Sequence, residues 1–152
     1  VLEDNSVILI DTGCKYKGYC SDFTRTVFYG TPSSDFLNAY EAVKVANELC
    51  IEKIKAGFTC KDCDKIARDY LETKNLSGFF THSLGHGVGL EIHESPYLSR
   101  KSKDKVVENN VFTIEPGVYM DGKFGIRIED TVVIKDGVVQ RLFTDDKKLI
   151  IL

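Results

Sequence analysis

The sequence predicts one α+β domain. Its 152 residues are 43% hydrophobic and 28% charged, which is enough for one globular core but not for two ordinary domains. Short apolar runs typical of strands lie towards both ends of the chain, and two amphipathic helical patterns lie between them. Strands, then two helices, then further strands indicate helices packed on one face of an antiparallel sheet.

The first half contains two predicted strands and both predicted helices. The strands are residues 7–11 (VILID) and the alternating apolar stretch within residues 19–29, joined at residues 15–18. Ser33 or Ser34 is a candidate N-cap for the first helix, and Gly57 ends it. Thr59 is the candidate N-cap of a second helix that runs to residue 73.

The second half is predicted to be mostly β-structure. The clearest strands are residues 111–120, 126–135 and 138–143. Asp121-Gly122 and Asp136-Gly137 lie between them as hairpin turns, since these dipeptides accept the positive φ angles that tight turns need. We therefore expect an antiparallel meander to close the chain.

Charge and cysteine content exclude several classes of partner. The formal net charge is -3 and the 20 Lys and Arg residues are scattered, so we expect neither a nucleic acid nor an anionic membrane as partner. No apolar stretch approaches the roughly 20 residues that cross a bilayer, and residues 1–6 lack the charged-then-apolar pattern expected of a signal segment. Five cysteines, an odd number, indicate reduced thiols and a cytoplasmic protein.

Acidic residues interrupt the predicted strands. Four carboxylates lie within or at the end of apolar runs: Asp11, Asp22, Glu115 and Glu129. Burying an unpaired carboxylate costs several kcal/mol at least, so each of them needs a partner. Arg25 and Arg127 could pair with two of them. Divalent cations are the alternative that accounts for all four, because such ions accept hard carboxylate oxygens together with an occasional imidazole.

One segment, residues 81–94 (THSLGHGVGLEIHE), holds the three histidines of the chain: His82, His86 and His93. His82 and His86 have the spacing of a zinc-protease pair, but Ser83 stands where that motif requires Glu. The three glycines of the segment match no nucleotide-binding motif, and we expect them to let the backbone and a substrate approach the imidazole of His86. An ordinary glycine-rich turn with solvent-facing histidines stays open as the alternative.

Four ordered strings carry a family resemblance over nearly the whole chain. They are LIDTGCKYKGYCSDFTRT, HSLGHGVGLEIHE, FTIEPGVYM and GIRIEDTVVI. Together they closely resemble the signatures of the creatinase/aminopeptidase metallopeptidases, and most of all the branch of Xaa-Pro aminopeptidases and proline dipeptidases. The resemblance implies the pita-bread fold, a curved antiparallel sheet with helices on its outer face.

The resemblance also implies a ligand set for two divalent metal ions. Asp11 would bind one metal, and His86 with Glu115 the other. Asp22 and Glu129 would bridge both. Manganese is the expected metal, with cobalt, zinc or iron as alternatives.

The same resemblance implies the chemistry. A hydroxide bridging the metals would attack the scissile carbonyl, and Glu115 would pass the water's proton to the leaving amine. His93 would stabilise the oxyanion, His82 would hold the substrate backbone, and Arg127 would support the site. The implied substrate is a peptide with proline at its second position, cut at the N-terminal Xaa-Pro bond.

Three alternatives stay open. The enzyme could be a proline dipeptidase instead of an aminopeptidase, or a metal-free C–N hydrolase of the creatinase type, against which the full acidic set argues. The chain could also belong to a catalytically inactive binding module with a peptidase fold. Such modules usually lack ligands, whereas every ligand type is present here.

Catalytic domains of the resembled family are longer than this chain. We therefore expect residues 1–152 to be about the C-terminal two thirds of a metallopeptidase domain, with the upstream part of the fold outside the chain. The peptidase prediction applies to the longer protein, which we expect to be a homo-oligomer, most simply a dimer. The 152 residues alone need not be active.

Overall fold

The structure, a computed structural model, describes residues 2–152 and is an α+β fold, as predicted. Besides one short 3-10 helix at Ser77–Phe79, its elements are two α-helices and eleven strands in the following order: β1 (Ser6–Thr12), β2 (Lys15–Tyr16), β3 (Tyr19–Cys20), β4 (Phe23–Tyr29), α1 (Ser34–Lys53), α2 (Cys60–Thr73), β5 (Gly85–Gly87), β6 (Glu94–Leu98), β7 (Val111–Ile114), β8 (Gly117–Met120), β9 (Phe124–Arg127), β10 (Asp130–Lys135) and β11 (Val138–Arg141).

The first two predicted strands form an antiparallel pair. In β1 and β4, Asp11 lies opposite Thr24 and Ile10 opposite Arg25. The small β2–β3 hairpin is inserted between them, and its turn is made by Lys17 and Gly18, both at positive φ. This pairing brings Asp11 at the end of β1 close to the residues at the start of β4.

Both helices begin at the predicted caps. Ser33 Oγ accepts a hydrogen bond from Phe36 N at 3.2 Å at the start of α1. Thr59 Oγ1 accepts one from Asp62 N at 3.1 Å at the start of α2. These side chains satisfy amide groups that have no partner within their own helix. Helix α1 ends at Lys53, four residues before Gly57.

A five-stranded antiparallel sheet forms the centre of the second half. Its strand order is β11-β10-β7-β5-β6. Strand β5 contains His86, and the pairing of β5 with β6 shifts register between His86 and Gly87. Strand β7 ends one residue before Glu115, and β10 begins one residue after Glu129.

The prediction that residues 111–120 and 126–135 each form one continuous strand was wrong, whereas the third predicted strand, 138–143, forms β11 (Val138–Arg141). The predicted strand 111–120 divides into β7 and β8 at Glu115-Pro116, and the predicted strand 126–135 divides into β9 and β10 before Asp130. Strand β7 pairs with β10, while β8 and β9 form a separate hairpin. Pro116 has no N–H to donate to a neighbouring strand, so the strand is interrupted there. The preceding residue, Glu115, donates its N–H to Leu84 O at 2.8 Å, whereas β8 pairs with β9.

The helices cover the apolar side of these strands. Val43 and Cys50 of α1 and Leu71 of α2 are fully buried in one cluster with Ile114 and Ile126. All five cysteines are free thiols. No helix in residues 2–152 has the length and apolar character needed to span a membrane.

Candidate metal centre

Three structural units bring the predicted ligands together. Asp11 lies in β1 and Asp22 directly before its partner strand β4, β5 supplies His86, and the breaks after β7 and before β10 supply Glu115 and Glu129. The two glutamates stand where the ladders stop. The alternation of side chains along a strand does not constrain a residue that lies between two strands. The carboxylates of Glu115 and Glu129 can therefore point towards the site although apolar residues surround them in the sequence.

The ligand atoms of these side chains lie within reach of shared ions. In each of three groups, one ligand atom from every member lies within 4.8 Å of those of the other members. The groups are Asp11, Asp22 and Glu129; His86, Glu115 and Glu129; and Asp22, His86 and His93. All five predicted ligands are therefore brought together, and His93, which was predicted as a non-ligand, lies beside them.

The arginines explain only part of this acidic cluster. Arg127 forms an ion pair with Asp11. Arg25 pairs instead with Asp130 and Asp145, which lie outside the predicted ligand set. Within residues 2–152, no Lys or Arg forms an ion pair with any of the three remaining carboxylates: Asp22, Glu115 and Glu129.

Burial makes these carboxyl groups reluctant to ionise. It raises the pKa of Glu115 to about 7. Burial, together with the negative charge of Glu115, raises the pKa of Glu129 to about 8. The pKa of Asp22 is raised by burial as well, although His86 opposes the shift. In the described part of the chain, none of these three acids has a Lys or Arg partner. A bound cation would therefore stabilise their ionised forms.

His86 is oriented for ligation through one ring nitrogen. Its Nδ1 lies 3.0 Å from the carbonyl oxygen of Gly87, so the N–H there donates to the backbone. Nε2 is left facing the acids, 3.3 Å from Glu115 Oε1 and 3.6 Å from Asp22 Oδ2. Burial lowers the pKa of His86, which favours the neutral imidazole that binds metals.

His82 lies at the edge of the cluster in a separate hydrogen-bond chain. Its Nδ1 is 2.8 Å from Ser83 O, and its Nε2 is 2.9 Å from the hydroxyl of Tyr119. That hydroxyl accepts a hydrogen bond from Arg127 at 3.1 Å. Since Nδ1–H donates to the backbone, Nε2 is free to accept the Tyr119 proton. Arg127 thus connects His82 to Asp11.

The cluster opens into two neighbouring cavities. One, of about 290 Å³, is lined by His82, His86, Glu115 and Arg127. The other, of about 450 Å³, is lined by Asp11 and Asp22. His93 borders both cavities, and its ring centroid lies 4.2 Å from that of His86. A small peptide could therefore approach the acids from either side of His93.

Sequence reasoning missed three hydroxyl groups that hold residues of the site, two of them on acids. Thr24 Oγ1 donates to Glu129 Oε2 at 2.5 Å, and Thr113 Oγ1 donates to Glu115 Oε1 at 3.0 Å. The third is the Tyr119 hydroxyl, which bonds His82 and Arg127. Threonine is common in strands for its β-branched shape, so nothing in the pattern marks these residues as functional. Their one available signal was that each lies in a string that also contains a predicted ligand.

The residues fit a pair of divalent cations. The donor set consists of four carboxylates and one imidazole, which is the chemistry that manganese, iron, cobalt or zinc accepts. Charge balance points the same way, because Arg127 is the one guanidinium among the described residues that pairs with a member of the set. The fold and the site together define a carboxylate-rich divalent-metal protein.

The chain belongs to metallopeptidase family M24, whose family description matches residues 1–136. It is 41% identical over 149 residues to an Xaa-Pro dipeptidase of Pyrococcus furiosus, covering 98% of this chain and 43% of that protein. The chain therefore spans less than half the length of the curated relatives it matches.

Solved structures confirm the predicted fold. The X-Pro aminopeptidase of Thermotoga maritima superposes with a TM-score of 0.95 at 43% identity, covering 99% of this chain and 43% of its own. The N-terminal domain of the FACT complex subunit SPT16 from Eremothecium gossypii has a TM-score of 0.89 at 28% identity, covering 99% of this chain and 37% of its own. The latter is not named for a peptidase activity, so fold alone does not assign one here.

Proposed function

We propose that the protein containing this chain is a metal-dependent exopeptidase that hydrolyses the N-terminal Xaa-Pro bond of peptides. The observation that carries the proposal is the convergence of five separate ligand side chains into overlapping groups. The Xaa-Pro names of its relatives support the substrate class. Family membership supports the reaction class.

The overlap of the groups supports the proposed ligand roles. Glu129 belongs both to the group with Asp11 and to the group with Glu115, as a ligand bridging two ions must. Asp22 belongs to the group with Asp11 and lies 3.6 Å from His86, so it is suited to the second bridge. Asp11, His86 and Glu115 are then ligands to single metals.

When bound, two divalent cations would polarise the scissile carbonyl and lower the pKa of a water molecule held between them. We propose manganese, with cobalt, zinc or iron as alternatives that the donor set also accepts. The remaining work belongs to the protein. The four carboxylates and the imidazole would hold the ions in position relative to the substrate, so little rearrangement would be needed during the reaction.

Glu115 is the proposed proton carrier. Its Oε1 accepts a hydrogen bond from Thr113 Oγ1 at 3.0 Å, and the carboxylate lines the same cavity as His82 and His93. It would receive the water's proton and transfer it to the leaving nitrogen of proline.

Three further residues would bind and orient the peptide. His93, which borders both cavities, would donate to the oxygen that gains negative charge. His82 would hold the substrate backbone, and Arg127 would keep His82 and Asp11 in place through its hydrogen bonds. The support for these three roles is that His82, His93 and Arg127 line the cavities beside the acids.

The direct test measures hydrolysis of Ala-Pro and Ala-Pro-Ala by the manganese-loaded protein, with Ala-Ala-Ala as the control substrate. We expect cleavage of a proline substrate and none of the control. Faster cleavage of Ala-Pro-Ala indicates an aminopeptidase, and cleavage confined to Ala-Pro indicates a dipeptidase. Asp22→Ala and His86→Ala should each abolish turnover.

Wild-type turnover in either variant would contradict the two-metal assignment. A wild-type protein that binds Ala-Pro-Ala but never cleaves it with any of the four metals would indicate the binding module instead. A cytoplasmic location and a homodimeric assembly remain predictions from the sequence.

A further inference from the structure

A polar cluster behind the candidate metal centre is formed by Arg25, Asp130, Asp145 and Lys147, of which Asp130 and Lys147 are buried. Arg25 of β4 lies at its middle, and all five of its N–H groups have an acceptor. None of these acceptors is the carboxylate of a proposed ligand. Arg25 therefore does not neutralise the charge of a proposed metal ligand, and its contacts must serve another purpose.

One side of the Arg25 guanidinium faces the backbone of a proposed bridging ligand. Arg25 Nη1 donates to the carbonyl oxygen of Glu129 at 2.6 Å and to that of Thr24 at 2.8 Å. Arg25 Nη2 donates to Oδ1 of Asp130, the next residue after Glu129, at 2.7 Å. The guanidinium thus fixes the backbone on which the Glu129 side chain is carried.

The other side faces the C-terminal segment, residues 142–152. Asp145 accepts two hydrogen bonds from Arg25, from Nε and Nη2, both at 2.7 Å. Lys147 Nζ lies 2.7 Å from Asp130 Oδ2. Asp145 and Lys147 therefore contact the two residues that hold Glu129, without contacting Glu129.

The C-terminal segment is anchored on the same strand that carries Arg25. Phe28 N of β4 donates to Ile150 O at 3.0 Å, and Leu152 N donates to Phe28 O at 2.8 Å. Nearer to Asp145, buried Lys147 lies 2.7 Å from Asp130 Oδ2 and donates to Asn47 Oδ1 at 2.5 Å, so the segment is anchored on both sides of residues 148–149. A bidentate carboxylate in turn restricts the planar guanidinium to one orientation.

On the basis of the proposed function, we infer that Asp145 is a positioning residue for the metal centre, acting through Arg25 on the bridging ligand Glu129. Groups that orient metal ligands typically change metal affinity by about 10- to 100-fold when they are removed. Asp145 is separated from Glu129 by one side chain, so we expect a loss of about tenfold in manganese affinity, at the lower end of that range.

The test is isothermal titration of manganese into the wild-type protein and the variant Asp145→Asn. The variant keeps the shape of the side chain, and its side chain is 38% exposed, so folding should survive the change. Asp146→Asn is the matched control, because Asp146 pairs with Lys148 and has no contact with Arg25. Asp145→Glu, which restores a carboxylate, should recover part of the affinity.

Weaker manganese binding in Asp145→Asn, with wild-type binding in Asp146→Asn, supports the inference. Unchanged affinity in Asp145→Asn overturns it, and so does a lower melting temperature without any change in affinity, because that pattern describes a merely structural ion pair. A wild-type protein that binds no manganese overturns the proposed function, and this inference with it.

Discussion

Thr24 and Glu129 are joined by two hydrogen bonds across 105 residues of sequence. Thr24 Oγ1 donates to Glu129 Oε2 at 2.5 Å, and Glu129 N donates to Thr24 O at 3.1 Å. Strand β4 therefore fixes both the backbone and the carboxylate of a proposed bridging ligand. A buried acid held in this way cannot turn away from a metal ion without losing a hydrogen bond.

Replacing Thr24 by Val should weaken both the fold and the metal centre. The buried oxygen of Glu129 loses its donor, which costs about 1–3 kcal/mol of unfolding free energy. Manganese affinity should fall by about 10- to 100-fold, because the carboxylate is no longer held. Urea unfolding and isothermal titration measure the two effects.

Thr24→Ser keeps the hydroxyl and should retain most of the affinity. Thr26→Val is the matched control in the same strand, because Thr26 bonds the backbone of Arg127 and touches no proposed ligand. It should lower stability without changing manganese affinity. Equal affinity in Thr24→Val and the wild type would refute the holding role of Thr24.

The stability of the metal-free protein should fall as pH rises from about 6.5 to 8.5. In this window the unfolded glutamates are already ionised, whereas folded Glu115 and Glu129, with pKa values of about 7 and about 8, still hold protons. The folded state thus binds more protons, and raising the pH removes that contribution to stability, by about 3 kcal/mol over the window. Below about pH 6.5, the lowered pKa of His86 acts in the opposite direction.

Thermal unfolding across this pH range, with a chelator present, measures the slope. Glu129→Gln should flatten it, since the amide does not titrate. Manganese should reverse it, because metal ions compete with protons for the same oxygens and bind more tightly at higher pH. A metal-free protein that becomes more stable between pH 6.5 and 8.5 would be incompatible with these raised pKa values.

Helix α2 holds the segment that carries His82. Buried Asp64 accepts from Leu84 N at 3.0 Å and from Arg68 Nε at 2.6 Å, and Arg68 donates to Phe80 O and His82 O. Asp64→Ala leaves the guanidinium without its carboxylate, and should lower the unfolding free energy by about 3–5 kcal/mol.

Asp69→Ala on the same helix is the control for urea unfolding. Asp69 pairs with Lys65 at the surface, where both side chains are 62% exposed, so its loss should cost less than about 1 kcal/mol. Similar losses in Asp64→Ala and Asp69→Ala would show that the buried pair does not hold this segment.

Tyr119→Phe should slow turnover without weakening metal binding. The change removes the hydroxyl between His82 and Arg127, which is worth about 1 kcal/mol, or roughly fivefold in rate. Steady-state kinetics on Ala-Pro-Ala and manganese titration separate the two effects. Lower metal affinity with unchanged turnover would contradict the prediction that the Tyr119 hydroxyl acts on the substrate side of the site and not on the metal ligands.

The local elements could be predicted from the sequence because they depend on short-range physics. The spacing of apolar residues in α1 and the hydroxyls of Ser33 and Thr59 define helices and their first turns. The Asp121-Gly122 and Asp136-Gly137 turns were likewise correct, because Gly122, Asp136 and Gly137 adopt the positive φ these turns require.

The interruptions of the strands could not be predicted. Glu115 and Glu129 lie in sequences with a continuous strand pattern, yet the backbone of each bonds to a different part of the chain. Such non-local bonds override β-propensity, and no periodicity reveals them. The same applies to Lys147. Lysine is usually exposed, but this side chain is buried and contacts Asp130 and Asn47.

The most direct test of the two-metal centre is an anomalous difference map from crystals of the manganese-loaded protein. The account predicts two manganese peaks. One should lie between Asp11, Asp22 and Glu129, and the other between His86, Glu115 and Glu129. A single manganese peak would contradict the account. Two peaks that lie away from the five side chains would contradict it as well.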